Sequence, residues 1–565
     1  MGMITRREFL KRTAIAAAVA GAPAGVLLAR PAPALAATER ISGSQTVTTK
    51  TVAAGDVLEF DPDVSTTLTL TGSGDTTMLV EGTLRMRPSS ASVVHTIRFT
   101  GGGELIVNGG GRLDIQGTQK TGWNRTGDDP TWSATDQLIV APIAKGDYTF
   151  RSFTKGSSVP QISNRHGSFA AEVMNLTRNV VIEGTTSTPM RRIMMIGSAP
   201  QTIKYAEVRH AGDPDEVGFY PIHFHLMGEG ARGSIVQGTV VHNAHHHAFV
   251  VHGSHGVTLR DCVAYDVEGD AYWWDLPPEG DFGNRINNTH DVLYEDCIAA
   301  DVHRTDLEDP VTRPNELSGF LMGAGTNNTA RRCVAVGIGG GVRTSGFHWP
   351  SKANAQTSPW VFEDCRTHNS REHGIFVWQN TDSERHGIDR FVSFHNGLGP
   401  VKHGAYNNRG YHYRNCLFFG NGGGFEQNAQ TATKPGKLTA ERLSFEECIF
   451  DDTDGESLLL RDHNLAPSMY TLYLDSQFAS TIRVADNDRL NGWYDFVRCN
   501  VETGDFDTSA MNSNSIIRVQ RTDGTAFELT RSGSRTIPAF WDGWSSFVPK
   551  PGEEFPDWDP TCGNR

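Results

Sequence analysis

Residues 259–266 read LRDCVAYD, and this short pattern recurs along the chain with cysteine at the same place. The later copies are YEDCIAAD from 294, ARRCVAVG from 330, FEDCRTHN from 362, YRNCLFFG from 413, FEECIFDD from 445 and FVRCNVET from 496. Each copy has the length and composition of a short β-strand. The copies are therefore successive examples of one unit, marked by Cys262, Cys297, Cys333, Cys365, Cys416, Cys448 and Cys499.

The spacing of these cysteines predicts a stacked repeat. They are 35, 36, 32, 51, 32 and 51 residues apart, and each 51-residue gap holds one copy without cysteine, around Val392 and Asp475. The underlying period of about 24–36 residues is typical of repeat folds and is shorter than the 40–45 residues of a propeller blade. One strand–turn–strand unit per period, stacked on its neighbours, predicts a parallel β-helix.

Two columns of like residues follow from this stacking. The cysteines become small core side chains, with disulfides between some of them as the alternative in an exported protein. An Asx residue lies four positions after the cysteine position in several units, which suits a turn that bends each coil in the same way. These predicted turn residues are Asn243, Asp266, Asp301, Asn369 and Asn396.

Composition and charge agree with an all-β protein. The 565 residues include 60 glycines and 38% hydrophobic residues, which favours short strands and turns over a helical bundle. The formal net charge of −14 disfavours nucleic acid as a partner. The sequence leaves the oligomeric state open.

The N-terminus predicts export. Residues 5–11 read TRREFLK, an alanine-rich apolar run follows to Leu28, and Ala34-Leu35-Ala36 ends the segment. This order is typical of a twin-arginine signal peptide at residues 1–36. Glycine and proline interrupt the apolar run, which is short for a membrane span of about 20 residues. We expect a secreted protein without a membrane partner, whose charge falls from −14 to −18 when these five basic and one acidic residues are removed.

Residues 37–170 are strand-rich but punctuated by glycine, as in HTIRFTGGGELIVNGGGRLDIQG from residue 95. We predict a glycine-rich β domain here, then the parallel β-helix at 171–530 and a C-terminal tail at 531–565. The blocks YPIHFHLMGE at 220–229 and VHGSHG at 251–256 follow. With these blocks, the chain from about residue 50 to 305 resembles the cell-migration-inducing hyaluronidase and fibrocystin families. The resemblance implies a right-handed β-helix and action on hyaluronan or a related polysaccharide.

Alternation along the strands predicts a group of outward-facing ionisable residues. Side chains point to opposite faces in turn. The inward columns are Ile222, Phe249, Tyr272 and Ile375, and beside them Phe224, Val251, Trp274 and Val377. On the outer face His225, His252 and Asp275 then stack on three successive coils, with His223 beside them.

These four residues are the predicted catalytic group. Coils about 4.8 Å apart let His225, His252 and Asp275 approach the geometry of a divalent metal site with an open position. Without a metal, Asp275 can orient one imidazole for proton transfer near neutral pH. The alternative is a histidine ladder that only covers the sheet.

Further candidates flank this group. Trp273 and Trp378 are either platforms on which a sugar ring stacks or side chains buried under a loop. His242 is a predicted substrate-binding residue, whereas the turn histidines 245–247 have a weaker claim because polar residues are common in turns. Glu279 and Asp281 form a carboxylate pair of a kind that suits glycoside hydrolysis.

Two classes of function fit the sequence. The first is a polysaccharide-cleaving enzyme, a glycosidase or a lyase, that works in a groove along the β-helix. The second is a non-catalytic carbohydrate-binding or surface adhesion protein, and fold alone does not separate the two. The acidic net charge means that a uronate-containing substrate needs a local cation or basic patch. Arg331, Arg332 and Arg343 are candidates for that patch.

Overall fold

Nearly all regular structure in this protein is β-strand. The computed structural model describes residues 36–541 except 75, 214–215, 217, 274–288, 304–316, 323–324, 342, 350–359, 378–385, 404–410, 428–442, 452–454, 462–467 and 486–490. The helices within these residues are two short 3-10 turns, Glu229–Ala231 and Thr503–Asp505. No helix of the described chain is long and apolar enough to cross a membrane. The predicted signal peptide lies outside the described residues, apart from Ala36.

Three long sheets, of 18, 14 and 15 strands within the described residues, form the body of the protein. The first sheet contains Thr38–Ile41, Val57–Phe60, Thr83–Met86, Arg112–Gln116, Thr202–Lys204, Ile235–Gln237, Thr258–Arg260, Leu293–Glu295, Asn328–Arg331, Trp360–Glu363, His386–Asp389, Tyr411–Arg414, Leu443–Glu446, Ser468–Leu474, Asn491–Val497, Ile516–Gln520, Ala526–Thr530 and Gly533–Ile537. The second contains Ser44–Val47, Thr66–Leu70, His95–Phe99, Val180–Glu183, Glu207–Arg209, Val240–His245, Val263–Glu268, Ile298–His303, Val334–Val336, Arg366–His368, Val392–Phe394, Leu417–Phe419, Ile449–Asp451 and Gln477–Phe478. The third contains Lys50–Val52, Met78–Val80, Leu105–Val107, Ile193–Met195, Ile222–Gly228, Phe249–Ser254, Tyr272–Trp273, Ser318–Leu321, Ser345–Trp349, His373–Val377, Gly399–His403, Phe425–Gln427, Leu458–Arg461, Ile482–Ala485 and Phe506–Asp507.

The chain visits the three sheets in turn, so each coil up to Ile482–Ala485 contributes one strand to each sheet. Neighbouring strands are parallel up to Ile516–Gln520, after which Ala526–Thr530 and Gly533–Ile537 close the first sheet in antiparallel fashion. The predicted all-β, parallel β-helix fold is confirmed. Strands of the glycine-rich segment, from Thr38 to Gln116, lie in the same three sheets as the later coils.

An insertion interrupts the coils between Gln116 and Val180. Its strands form two small antiparallel sheets, of which the larger packs beside the second sheet through a buried apolar cluster that includes Ile139, Met174 and Val263. The strands are Trp123–Asn124, Leu138–Val140, Arg151–Phe153, Gln161–Asn164, Gly167–Ala170 and Val173–Asn175.

The interior contains the inward columns that the sequence predicted, apart from Trp274, which lies outside the described residues. Ile222 pairs with Phe249, Phe249 with Tyr272 and Tyr272 with Phe320, and all four side chains are fully buried. The stacked aromatic rings of Phe249, Tyr272 and Phe320 lie 5.0 and 4.4 Å apart, nearly parallel. The seven repeated cysteines are free thiols and are buried. Disulfides are therefore not what holds successive coils together.

Left-handed turn residues repeat along the second sheet, with one correction to the predicted column. Asn243, Asp266, Asp301 and Asn369 have φ between 48° and 54°, a region that Asn and Asp tolerate better than most residues. In the next unit His395, with φ of 55°, holds this position instead of Asn396. Val392 pairs with Arg366, so the residue aligned with Cys365 is Phe391 and the count shifts by one. Asn396 is buried and bonds to Asn421.

A buried ion cluster fastens the insertion to the second sheet. Glu172 accepts hydrogen bonds from Arg125 at 2.8 Å and Arg366 at 3.1 Å, and its other oxygen lies 2.8 Å from Nε2 of His368. The Glu172 side chain is 0% exposed. Burial alone would raise the pKa of Glu172, but the positive charges of His368, Arg125 and Arg366 hold it well below 4.5.

Replacing Glu172 by Gln should lower the free energy of unfolding by about 3–5 kcal/mol, because it leaves buried cations without their counter-charge. A carboxyl whose pKa is lowered by folding stabilises the protein above its unfolded pKa near 4.3, and this contribution is lost as the pH falls through the folded pKa. Denaturation of both proteins at pH 7 and pH 4 should therefore show a smaller difference at pH 4. Glu39→Gln, at an exposed ion pair, is the control and should cost less than about 1 kcal/mol.

The cysteine column gives a second expected result. Each thiol donates to a backbone carbonyl of the preceding coil at 3.3–3.5 Å, and burial raises the pKa of Cys499 to about 12. Of the eight cysteines in the chain, Cys562 alone lies outside the described residues. A thiol-reactive dye should thus label at most one thiol per native chain, and the remaining seven only after denaturation. Fast labelling of several thiols in the native state would contradict the buried column.

Candidate functional site

The candidate site lies on the outer face of the third sheet, where two adjacent strands carry histidine at matching positions. Strand Ile222–Gly228 pairs in parallel with Phe249–Ser254, and the register sets His225 opposite His252. His223 lies two residues before His225 and hence on the same face of the strand. Three imidazoles from two neighbouring coils therefore meet outside the core.

These residues form the histidine cluster, defined as His223, His225 and His252. Each offers one ring nitrogen, and the three nitrogens lie within 4.8 Å of one another. Nδ1 of His225 is 3.3 Å from Nε2 of His223, and the rings of His225 and His252 are 5.0 Å apart. Ligands of a tetrahedral Zn²⁺ ion, each bound at about 2.0–2.1 Å, are about 3.4 Å apart. Small side-chain rotations would bring the cluster to that spacing.

His223 is the most buried member of the cluster, with 1% of its surface exposed. Burial lowers the pKa of His223 well below 6.5, and the nearby positive charges of His225, His252 and Arg192 lower it further. Its imidazole is therefore neutral at physiological pH. A neutral imidazole is the form that binds a metal ion or accepts a proton.

An aromatic wall borders the cluster on the same face. The Tyr220 ring lies 4.9 Å from that of His223 and 5.4 Å from that of Trp273. Trp273 stacks on His247 with 3.9 Å between ring centroids, and it is 0% exposed. Of the two interpretations that the sequence left open for Trp273, the structure shows burial.

Behind this wall lies a buried polar pair that the sequence analysis missed. Nδ1 of His247 is 3.6 Å from a carboxylate oxygen of Asp270. The backbone N–H and the hydroxyl of Ser318 both donate to Asp270 at 2.6 Å, while burial raises the pKa of this carboxyl. The signal was present, because aligning Ala248 with Ala271 places His247 and Asp270 at equivalent positions of successive coils.

The other predicted site residues either lie outside the described residues or belong to another sheet. Asp275, Trp378, Glu279 and Asp281 lie outside the described residues, so their roles stay predictions. His242 belongs to the second sheet, where it is buried and its Nε2 lies 3.2 Å from Glu207. The structure therefore does not bring His242 to the histidine cluster, because it sits on a different side of the coil.

Two of the three predicted basic residues, Arg331 and Arg332, are not at this site either. Arg331 and Arg332 lie at the end of a first-sheet strand, where Arg332 is paired with Glu295 and Asp296. Arg331 lies 3.3 Å from Glu295. Acidic side chains on the preceding coil of the first sheet therefore balance the charges of both arginines.

The histidine cluster falls within a recognisable family segment. Residues 191–373 match the protein family described as CEMIP beta-helix. The family resemblance predicted from the sequence is confirmed. The CEMIP-type segment contains all three residues of the cluster and the strands on which they lie.

Relatives of known name match parts of the chain. Human cell surface hyaluronidase CEMIP2 is 26% identical over 189 residues, which cover 26% of this chain and 14% of that protein. Mouse Fibrocystin-L is 37% identical over 135 residues, covering 24% of this chain and 3% of that protein. The chain thus spans a small part of the length of these relatives. Among solved structures, the Azotobacter vinelandii mannuronan C-5 epimerase AlgE6 A-module covers 85% of this chain with 12% identity and a TM-score of 0.21.

Three buried histidines of the third sheet predict a loss of stability in mild acid. Burial lowers the pKa of His223 well below 6.5 and those of His373 and His403 to about 3. The unfolded chain then binds more protons than the folded one, so the free energy of unfolding of metal-free protein should fall as the pH drops below about 6.5. His223→Asn should lose less stability than the unsubstituted protein between pH 7.5 and pH 5.

His303 supplies a control of opposite sign. A hydrogen bond with Asp266 raises the pKa of His303, so its stabilising contribution is present at low pH and is lost as the pH rises. His303→Asn should therefore lose more stability on acidification than the unsubstituted protein. Identical pH profiles for the two variants would contradict the assigned charge states.

Proposed function

We propose that this protein is a secreted polysaccharide-cleaving enzyme with the histidine cluster as its reactive centre. The observation that carries the proposal is the convergence of three imidazole nitrogens within 4.8 Å on the outer face of the third sheet. The CEMIP-type segment that contains them supports it. A relative with a hyaluronidase name that matches 26% of this chain supports it further.

The proposed substrate is hyaluronan or another uronate-containing glycan. The third sheet offers a long outer face, because its strands repeat about every 4.8 Å and a polymer can lie across several of them. A polymeric substrate also fits an extracellular location, which the N-terminal export signal predicts and the cell surface relatives support.

An acidic substrate must meet a positive charge in this acidic protein. Arg192, whose charge acts on His223, is already paired, since it donates to Glu104 at 2.5 Å. Its neighbour Arg191 donates to Asp213 at 3.0 Å. A cation bound by the cluster would supply the missing charge.

We therefore include a divalent metal ion in the proposal, held by His223, His225 and His252, with Asp275 as a further candidate ligand. When bound, such an ion supplies positive charge that neutralises a uronate carboxylate. The chain itself contributes the neutral imidazole of His223 and the imidazoles of His225 and His252, all held in place by the strand register. The wall of Tyr220 and Trp273 excludes water from one side. In a metal-free version the same imidazoles would act as acid and base, with Asp275 orienting His252.

The test uses the mature protein and a panel of hyaluronan, chondroitin, pectin, alginate and a neutral glucan. New reducing ends would show cleavage, and absorbance from unsaturated sugars would identify β-elimination rather than hydrolysis. Activity that disappears with a chelator and returns with one particular ion would support the metal. Full activity in excess chelator would contradict the metal and would favour acid–base catalysis by the imidazoles.

Substitutions locate the reaction. His225→Ala and His252→Ala should each lower kcat by about 10²–10⁴-fold with little change in Tm, and the double variant should add little because the residues act as a unit. His303→Ala, at a partly exposed histidine of the second sheet, is the matched control and should keep activity. Binding of a glycan without cleavage, unaffected by these substitutions, would instead favour the carbohydrate-binding or adhesion function.

A further inference from the structure

A second group of metal-ligand side chains lies at the corner that follows the third sheet. Glu229 is in a short 3-10 turn after strand Ile222–Gly228, while His255 and His290 occupy the same corner on the next two coils. The backbone N–H of His255 donates to Gly228, and that of Gly256 donates to His290, both at 3.0 Å. Parallel stacking thus holds the three side chains together.

The donor atoms of this corner site, defined as Glu229, His255 and His290, suit one ion. One ligand atom from each residue lies within 4.8 Å of the other two. Nε2 of His290 is 3.6 Å from Oε1 of Glu229, close to the separation of about 3.4 Å between two ligands of a tetrahedral zinc ion. The imidazoles of His255 and His290 stack with centroids 3.8 Å apart, so one ring has to rotate before both can bind the same ion in their ring planes.

Neighbouring residues orient two of these ligands, His290 and Glu229, while Nδ1 of His255 accepts a hydrogen bond from the backbone N–H of His290 at 3.4 Å. Nδ1 of His290 lies 2.9 Å from a carboxylate oxygen of Asp291. A proton on Nδ1, donated to Asp291, leaves Nε2 with a free lone pair on the side of Glu229. A carboxylate behind a ligating histidine is a common arrangement in zinc proteins. Arg232 donates to Glu229 at 2.6 Å and to Asp291 at 2.9 Å, which fixes both carboxylates.

We propose that Glu229, His255 and His290 bind a divalent transition-metal ion such as Zn²⁺ or Co²⁺, with Asp291 as the positioning residue. Two imidazoles and one carboxylate favour such ions over Ca²⁺ and Mg²⁺, which prefer all-oxygen sites. The site is reached from solvent, since the Glu229 and His290 side chains are 62% and 29% exposed. Three protein ligands leave a position open for water or a substrate oxygen.

The corner site is separate from the histidine cluster and would bind a second ion. His255 lies three residues beyond His252, after the strand has ended and the chain has turned towards the first sheet. Metal binding at the corner site is independent of the catalytic role proposed for the cluster. The sequence carried one signal for the corner site, because His255 and His290 are 35 residues apart, as are Cys262 and Cys297.

The experiment disables the histidine cluster and tests whether the corner site still binds one metal ion. Chelator-treated full-length mature protein carrying both H225A and H252A is titrated with Co²⁺, whose visible absorption reports nitrogen and oxygen ligation, and then with competing Zn²⁺. We expect one equivalent of Co²⁺ to bind and Zn²⁺ to displace it. Adding H255A or H290A should abolish the spectrum, and D291N should weaken binding about 10–100-fold.

Control variants keep the result interpretable. H303A in the same background, at a partly exposed histidine paired with a carboxylate, should bind Co²⁺ unchanged. If H255A or H290A fails to fold, E229Q and D291N decide, because the Glu229 and Asp291 side chains are 62% and 32% exposed. Each variant should weaken binding by at least 10-fold. Absence of a saturable Co²⁺ spectrum below about 1 mM (a binding free energy near −4.1 kcal/mol), or a spectrum that survives H255A and H290A together, would overturn the proposal.

Discussion

Parallel hydrogen bonding between successive coils is the constraint on which the rest of the structure depends. Each strand takes its register from the strand one coil earlier, so that equivalent residues lie above one another at about 4.8 Å. The columns of Phe249, Tyr272 and Phe320 in the core, and of free cysteines beside them, are direct results. In these columns core side chains therefore pack against residues of similar type in the next coil.

The same stacking offsets backbone strain at the corners. The residue before the cysteine position adopts a left-handed conformation, with φ of 54° at Asp296, 53° at Arg332 and 56° at Asp364, which costs about 1–2 kcal/mol for a residue with a side chain. Arg332 bonds to Asp296 of the preceding coil at 2.7 Å, and Arg390 bonds to Asp364 at 2.6 Å. Ion pairs between neighbouring corners, together with backbone bonds between coils, hold the turns in this conformation.

Groups of histidines on the outer surface arise from the same stacking of equivalent positions. His225 meets His252 because their strands pair in register, and His255 meets His290 because their corners stack. In each case sequence-distant residues acquire a fixed spacing from the backbone alone. The insertion is held differently, by the buried Glu172 cluster and by apolar packing against the second sheet.

The sequence by itself determined the repeat, the parallel β-helix, the inward columns, the family resemblance and the pairing of His225 with His252. These follow from period and alternation, which are local properties that stacking preserves. The sequence also placed His223 beside that pair. Tertiary structure decided where other residues lie: Trp273 is covered by His247, and His242 contacts Glu207 on another sheet. The corner site and the anchor at Glu172 were also decided there. The lengths of the turns and the position of the insertion decide on which side of the coil a residue lies. Neither repeats with a regular period, so neither can be predicted from the sequence pattern.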